Sequence, residues 1–166
     1  MQDQLSTRLT IRDVRADDVA QLVELINALN AHEGTAQSMT QQHAEFMLFH
    51  PARPVRMHCR VAVLGARVIG FVLFYDGYDT ASTSMGFHIA DIFIEPDFRR
   101  QRVGEQLMRD VAALCLAQGG EWCSLTALSR NVAAIGFYDT LGFASPKVTF
   151  RSIGPQGLAS LVNRTN

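Results

Sequence analysis

The stretch from Asp91 to Gln118, DIFIEPDFRRQRVGEQLMRDVAALCLAQ, constrains the rest of the chain more than any other. An apolar run from Ile89 to Ile94 is interrupted only by Asp91 and turns at Glu95-Pro96-Asp97-Phe98. A basic segment follows, Arg99-Arg100-Gln101-Arg102-Val103-Gly104. Val103, Leu107, Val111, Leu114 and Cys115 then recur at steps of three and four, the spacing of one helix face. Strand, basic turn and helix start come in that order. The order suits an anion, because first-turn N–H groups lack intrahelical partners and lie at the positive end of the helix dipole. Arg99, Arg100 and Arg102 would add charge-assisted bonds. An exposed basic turn in front of an ordinary helix would carry the same residues, so the stretch alone leaves both readings open.

The remaining chain supplies a scaffold of matching size. A length of 166 residues predicts one domain, 1–166, and 48% hydrophobic residues allow a sizeable core. A formal net charge of −1 argues against a general nucleic-acid or anionic-membrane binder, so the basic turn is a local site. No apolar run approaches a membrane span, and MQDQLSTRLT lacks the basic start and apolar core of a signal peptide. Cys59, Cys115 and Cys123 are scattered and odd in number, which suits reduced thiols in a cytoplasmic protein. His32, His43, His50 and His58 show no metal spacing with one another or with the cysteines, so no metal is expected.

Leu9 to Val14 alternates as a first strand with Leu9 and Ile11 inward. Asp17-Asp18 opens a helix whose buried stripe is Val19, Leu22, Val23, Leu25, Ile26 and Leu29, stopped at Gly34. Ser38 or Thr40 caps a second helix, Gln41 to Phe49, ended by Pro51 and Pro54. Met57 to Leu64 and Val68 to Tyr75 form a hairpin about Gly65-Ala66. A polar loop from Asp76 to Ser84 leads to a central strand, Met85 to Ile94. The helix from Val103 to Gln118 stops at Gly119-Gly120. A strand, Trp122 to Leu128, a short helix, Asn131 to Leu141, and a final strand, Phe143 to Ile153, complete the pattern, with a short helix in the tail. Strand–helix–strand from Met85 to Leu128 needs a crossover and so a parallel pair. The expected fold is α/β (α+β), a mixed and mostly antiparallel sheet of six to seven strands with helices on both faces.

Two motifs in this order resemble those of the GCN5-related N-acetyltransferases. Arg99-x-x-Arg102-x-Gly104 is similar to that family's Arg/Gln-x-x-Gly-x-Gly/Ala signature, with arginine where glycine is usual; Arg100 occupies a neighbouring position that is often glycine too. Asn131-Val-Ala-Ala-Ile-Gly-Phe-Tyr-Asp-Thr-Leu-Gly-Phe143 is similar to its Asn-x-x-Ala-x-x-Phe-Tyr-x-x-x-Gly-Phe element. The resemblance implies that two neighbouring parallel strands splay apart and that acetyl-CoA enters the gap as cosubstrate. It implies that backbone groups of Ile92, Phe93 and Ile94 pair with pantetheine, and that pyrophosphate lies on N–H groups from Arg100 through Gln101, Arg102, Val103 and Gly104 to Glu105. Asn131 reads from position as a helix N-cap, and the resemblance adds a pantetheine contact. Tyr138 reads from periodicity as a core tyrosine with one hydroxyl partner; the resemblance places its phenol near the thioester sulfur as general acid.

Direct transfer to an amine asks for alignment, oxyanion stabilisation near Phe93 or Ile94, and a base, because an alkylammonium of pKa about 10 cannot attack. Asp91 is the first candidate base, acting directly or through water, and His88 is the second. Residues 88 and 91 point to opposite faces of a regular strand, so both reach one side only if a bulge intervenes. In layout the chain resembles the diamine and thialysine branch of the family, although Ala90-Asp91 stands where that branch usually has Glu-Asp. Glu33, Asp76 and Asp79 could supply acids to a cationic acceptor, or be solvated loop charges. The leading expectation is therefore an N-acetyltransferase acting on a small primary amine. An acyl-CoA-sensing module, and transfer to a protein N-terminus or lysine, are the alternatives. A homodimer is common in that branch; the C-terminal strand with Leu158, Leu161 and Val162 could serve it or close the monomer core.

Overall fold

The computed structural model describes residues 9–53 and 56–163. Pro54 and the segment before Leu9 therefore lie outside the described residues. The chain runs β1 (Leu9–Asp13), a 3-10 turn (Ala16–Asp18), α1 (Val19–Glu33), α2 (Gln41–Phe49), β2 (Met57–Leu64), β3 (Arg67–Asp79) and β4 (Ser84–Ile94). A second 3-10 turn (Pro96–Phe98), α3 (Val103–Ala117), β5 (Trp122–Leu125), α4 (Val132–Thr140) and α5 (Pro155–Val162) complete it. The sheet has the order β1-β2-β3-β4-β5. Its first three pairings are antiparallel and β4–β5 is parallel, as the α3 crossover requires.

Alternation along the strands builds two cores. Val61, Phe71, Leu73 and Phe93 face α1 and α2, meeting Leu22, Leu25, Ile26, Leu29 and Leu48. Ala62, Val72, Phe74, Phe87 and Ile89 face α3, meeting Val103, Leu107, Met108, Val111 and Cys115. A fully buried side chain of this size contributes roughly 1.5–3 kcal/mol, so the sheet between two helical layers is the main source of stability. Two caps that the sequence indicates close the helices on this face. Thr40 Oγ1 accepts from the His43 N–H at 3.2 Å, and Gly34 closes α1 with φ of 76°. Asp18 is buried and paired with Arg12 at 2.6 Å, and the Arg12 hydrogen bond holds its carboxyl below the ordinary range.

Three features of the sheet position the strands around β4. First, Trp122 lies over two glycines. A Cβ at Gly86 would fall 2.2 Å from Trp122 Cδ2, and one at Gly77 2.6 Å from Cη2, so larger residues would lift β5 off β4. Second, β4 carries a bulge. Leu73 pairs with Asp91 but Phe74 pairs with Ile89, which leaves Ala90 without an opposite residue. Third, β5 pairs with β4 only from Gly86 to Ile89, whereas β4 continues to Ile94. β5 is paired along its whole length and ends at Leu125, so beyond Ile89 β4 has no parallel neighbour.

The sheet has five strands among the described residues, not six to seven. The missing strand is Phe143 to Ile153, which runs outside regular structure with Val148 79% and Phe150 76% exposed. Its alternation is strand-like, but β5 offers an edge of only four residues, and Pro146 lacks the N–H that a ladder needs. β5 is likewise shorter than expected, and β3 and β4 extend through most of the region read as a polar loop.

Candidate active site

A cavity of about 840 Å³ opens beside the C-terminal end of β4. Its walls come from β4, the basic turn with the start of α3, the last turn of α1, and the segment from Leu128 through α4. Ile92, Phe93, Ile94, Arg99, Arg100, Arg102, Val103, Gly104, Glu105, Asn131 and Tyr138 all line it. Gln101 and both candidate bases, Asp91 and His88, do not. Gln101 is turned back, its amide donating to the Asp97 carbonyl at 2.8 Å.

The turn into α3 has an unusual backbone for its sequence. Arg100 and Arg102 have φ of 58° and 62°, in the left-handed region that glycine enters without steric cost. These are the two positions where glycine is usual in the resembling signature, so the chain keeps a glycine-like turn while carrying arginine. Arg102 is the N-cap of α3 and makes no side-chain cap. The first helical bond runs from the Gln106 N–H to the Arg102 carbonyl at 3.0 Å, so the N–H groups of Val103, Gly104 and Glu105 precede the intrahelical ladder. Arg99 is held at home. Its Nε donates to the Ile94 carbonyl at 3.0 Å and its guanidinium stacks 5.3 Å from the Phe93 ring centre. Gly104 has a packing reason beside the binding one, since a Cβ there would lie 3.2 Å from Phe137 Cζ.

Asn131 caps α4, its Oδ1 accepting from the Ala134 N–H at 3.2 Å. α4 presents Tyr138 between the rings of Phe137 and Phe143, with centroids 5.5 and 5.9 Å away. Periodicity favours a core tyrosine with one hydroxyl partner. Instead Tyr138 is half-buried, lines the cavity and has no hydroxyl partner among the described residues. Burial raises its pKa, and the nearby charges of Glu33 and Asp91 raise it further, so the phenol stays protonated through the neutral range.

The bulge settles the geometry of the two candidate bases. Tyr75 and Leu73 lie two apart on β3 and share a face, and their partners are His88 and Asp91. His88 and Asp91 therefore share a face too, because Ala90 absorbs one residue. His88 Nδ1 lies 3.0 Å from Ser124 Oγ and its ring stacks 5.0 Å from Tyr75. Asp91 is half-buried, and its pKa is raised by burial first and by Glu33 second. In the sequence Glu33 is one of several scattered acids. The fold selects it, bringing it to the cavity beside Asp91 and Tyr138 from the far end of α1. Sequence reasoning missed Leu29, Leu128 and Arg130, also in the wall, which carry no motif. Asp76 instead pairs with His58 at 3.1 Å, and Asp79 folds onto Ser82 and Ala81.

Among the described residues, no group of three or more His, Cys, Asp or Glu side chains could hold a metal, and no helix is long and apolar enough to cross a membrane. The three cysteines are free, and burial pushes the Cys123 thiol up to about 11.

A mixed sheet whose parallel pairing stops at Ile89, with an uncapped helix start facing the cavity, is the arrangement the resemblance implies for an acyltransferase. The chain belongs to the acetyltransferase (GNAT) family, whose pattern matches residues 21–143, and is an enzyme of the N-acetyltransferase type. It is 25% identical over 140 residues to the thialysine N-epsilon-acetyltransferase of Sus scrofa, covering 80% of this chain and 82% of that one. Solved structures share the fold. An integron cassette protein from the mobile metagenome of V. cholerae superposes with a TM-score of 0.80 at 20% identity, over 95% of this chain and 99% of its own. An aminoglycoside acetyltransferase from an uncultured soil metagenomic sample gives 0.76 at 18% identity, over 90% and 98%.

Proposed function

We propose that this enzyme moves an acetyl group from acetyl-CoA to a primary amine of a small molecule, of diamine, polyamine or amino-acid-like type, by direct attack. Acetyl-CoA is the cosubstrate of the GNAT family, and this cleft suits it. The N–H groups of Val103, Gly104 and Glu105 receive the pyrophosphate at the start of α3, with Arg100 and Arg102 beside them. Ile92 to Ile94 offer backbone groups on the edge that β5 has left. Asn131 borders the same groove.

The observation that carries the reading is Tyr138, a protonated phenol with no protein partner among the described residues, in the wall of that cleft. As the amine attacks the acetyl carbon and the C–S bond breaks, Tyr138 donates its proton to the departing thiolate. Asp91 takes the ammonium proton through water, since its carboxylate stands outside the cavity wall. Its raised pKa makes it a better proton acceptor than an ordinary aspartate. Glu33 and Asp91 give the acceptor end a negative character that favours a cation. Similarity to a thialysine acetyltransferase supports a small amine acceptor. The exposed Val148, Phe150 and Val162 support a homodimer joined through the C-terminal segment.

Thiol release from acetyl-CoA measured against spermidine, putrescine, lysine analogues, aminoglycosides and short peptides tests the reading. Saturable release with one small-amine class is the expected result. Turnover confined to peptides would move the acceptor to a protein amine. Tight acetyl-CoA binding with no turnover across the panel would point to a sensor.

A further inference from the structure

The proton donor rides on a weakly anchored helix. None of the nine residues of α4 is fully buried. Phe137 and Leu141 pack at the margin of the α3 core, and the remainder of the helix faces the cavity or solvent. Across the cavity stands the last turn of α1, which contributes Leu29, His32 and Glu33 to the opposite wall. The Ala31 and Asn30 carbonyls at that end are capped by the Gly34 and Thr35 N–H groups, at 3.2 and 2.8 Å. The Glu33 carbonyl is taken by a residue 97 positions away: Arg130 Nη2 donates to it at 2.8 Å. A guanidinium suits that place, because carbonyls at a helix C-terminus carry its negative dipole end. Arg130 directly precedes Asn131, the N-cap of α4. The bond therefore ties the start of the Tyr138 helix to the end of α1, and both partners line the cavity.

We propose that Arg130 is a positioning residue for Tyr138, clamping the start of α4 to the Glu33 carbonyl so that the phenol stands at the reacting end of the cleft. The proposal rests on the reading of Tyr138 as proton donor. Arg130 acts here through its bond to a backbone carbonyl, so its role needs a donor of sufficient reach, not the Glu33 carboxylate. Lysine at this position keeps a donor and a charge, whereas methionine keeps only the apolar stem.

The test is a double-mutant cycle on the full chain, reading kcat, the KM for amine, the Kd for acetyl-CoA and the melting temperature. Arg130→Met is expected to lower kcat about ten- to hundredfold, as small misplacements of catalytic groups do, while Kd and melting temperature stay near wild type. Arg130→Lys is expected to recover most of the loss. In a Tyr138→Phe background, Arg130→Met is expected to lower kcat no further, because the group it positions is gone. Fully additive losses would overturn the proposal, and so would a rise in the Kd for acetyl-CoA matching the fall in kcat. An unaltered kcat in Tyr138→Phe alone would instead remove the proton-donor reading on which the proposal stands.

Discussion

The two helices that face the cleft are held in different ways. α3 buries Val103, Leu107, Met108, Val111 and Cys115 against the sheet, and Val103 seats its N-terminus in the core. α4 buries no residue fully and depends on ring packing, an N-cap and the Arg130 bond. On the proposed reading, the side that would take the phosphates belongs to the packed interior, while the side that carries Tyr138 is a surface element set against it. A site built this way would keep its cosubstrate end tied to the core and let its acceptor side change at little cost to stability.

The contrast can be broken by cutting equivalent leucines. Leu107→Ala is expected to cost about 2–5 kcal/mol in urea unfolding, the range for a fully buried leucine. Leu141→Ala, at the half-buried end of α4, is expected to cost less than half as much. Equal losses would show that α4 belongs to the core after all. Next in size is Gly104→Ala, where the new methyl must displace the Phe137 ring from 3.2 Å. The half-buried ring need yield only a few tenths of an ångström, and alanine gains about 0.5–1 kcal/mol over glycine within a helix, so we expect a stability change within about 1 kcal/mol together with weaker acetyl-CoA binding by calorimetry.

The acceptor side is sharpened by charge. Glu33→Gln removes the like charge that helps raise Asp91, so the Asp91 pKa should fall toward the ordinary carboxylate range. Asp91 must be ionised to act, so the acidic limb of the pH–kcat profile should move to lower pH. A limb that stays in place would detach Asp91 from proton removal. The smallest effect concerns the turn. Arg102→Gly relieves a left-handed residue, about 1–2 kcal/mol, but adds unfolded-chain freedom of about 0.4–1 kcal/mol. The expected net is a stabilisation of about 0.5–1 kcal/mol by thermal melting, and a loss of stability would mean that the side chain holds the turn.

The same contrast governs what is legible in the sequence. α3 and the β2–β3 hairpin can be read closely because one periodic pattern specifies both local structure and burial. The turn at Arg100 and Arg102 stands out as a departure, yet its conformation is not readable, since arginine enters the left-handed region only when the surrounding structure dictates it. Asp91 and His88 are nominated by chemistry, but their shared face depends on a bulge at Ala90 that no local residue type announces. Phe143 to Ile153 misleads because alternation signals a strand only where a partner edge exists. Glu33 and Arg130 meet at long range, through a backbone carbonyl, and no spacing in the chain encodes that.

The central claim is that Tyr138 donates the proton that lets the thiolate leave. The most direct measurement sets acetyl-CoA binding by calorimetry beside single-turnover thiol release, for wild type and Tyr138→Phe with the same amine. The account predicts an unchanged Kd and a fall in the rate of release of about 10²–10⁴-fold. Release at the wild-type rate from the phenylalanine variant, with binding intact, would contradict it.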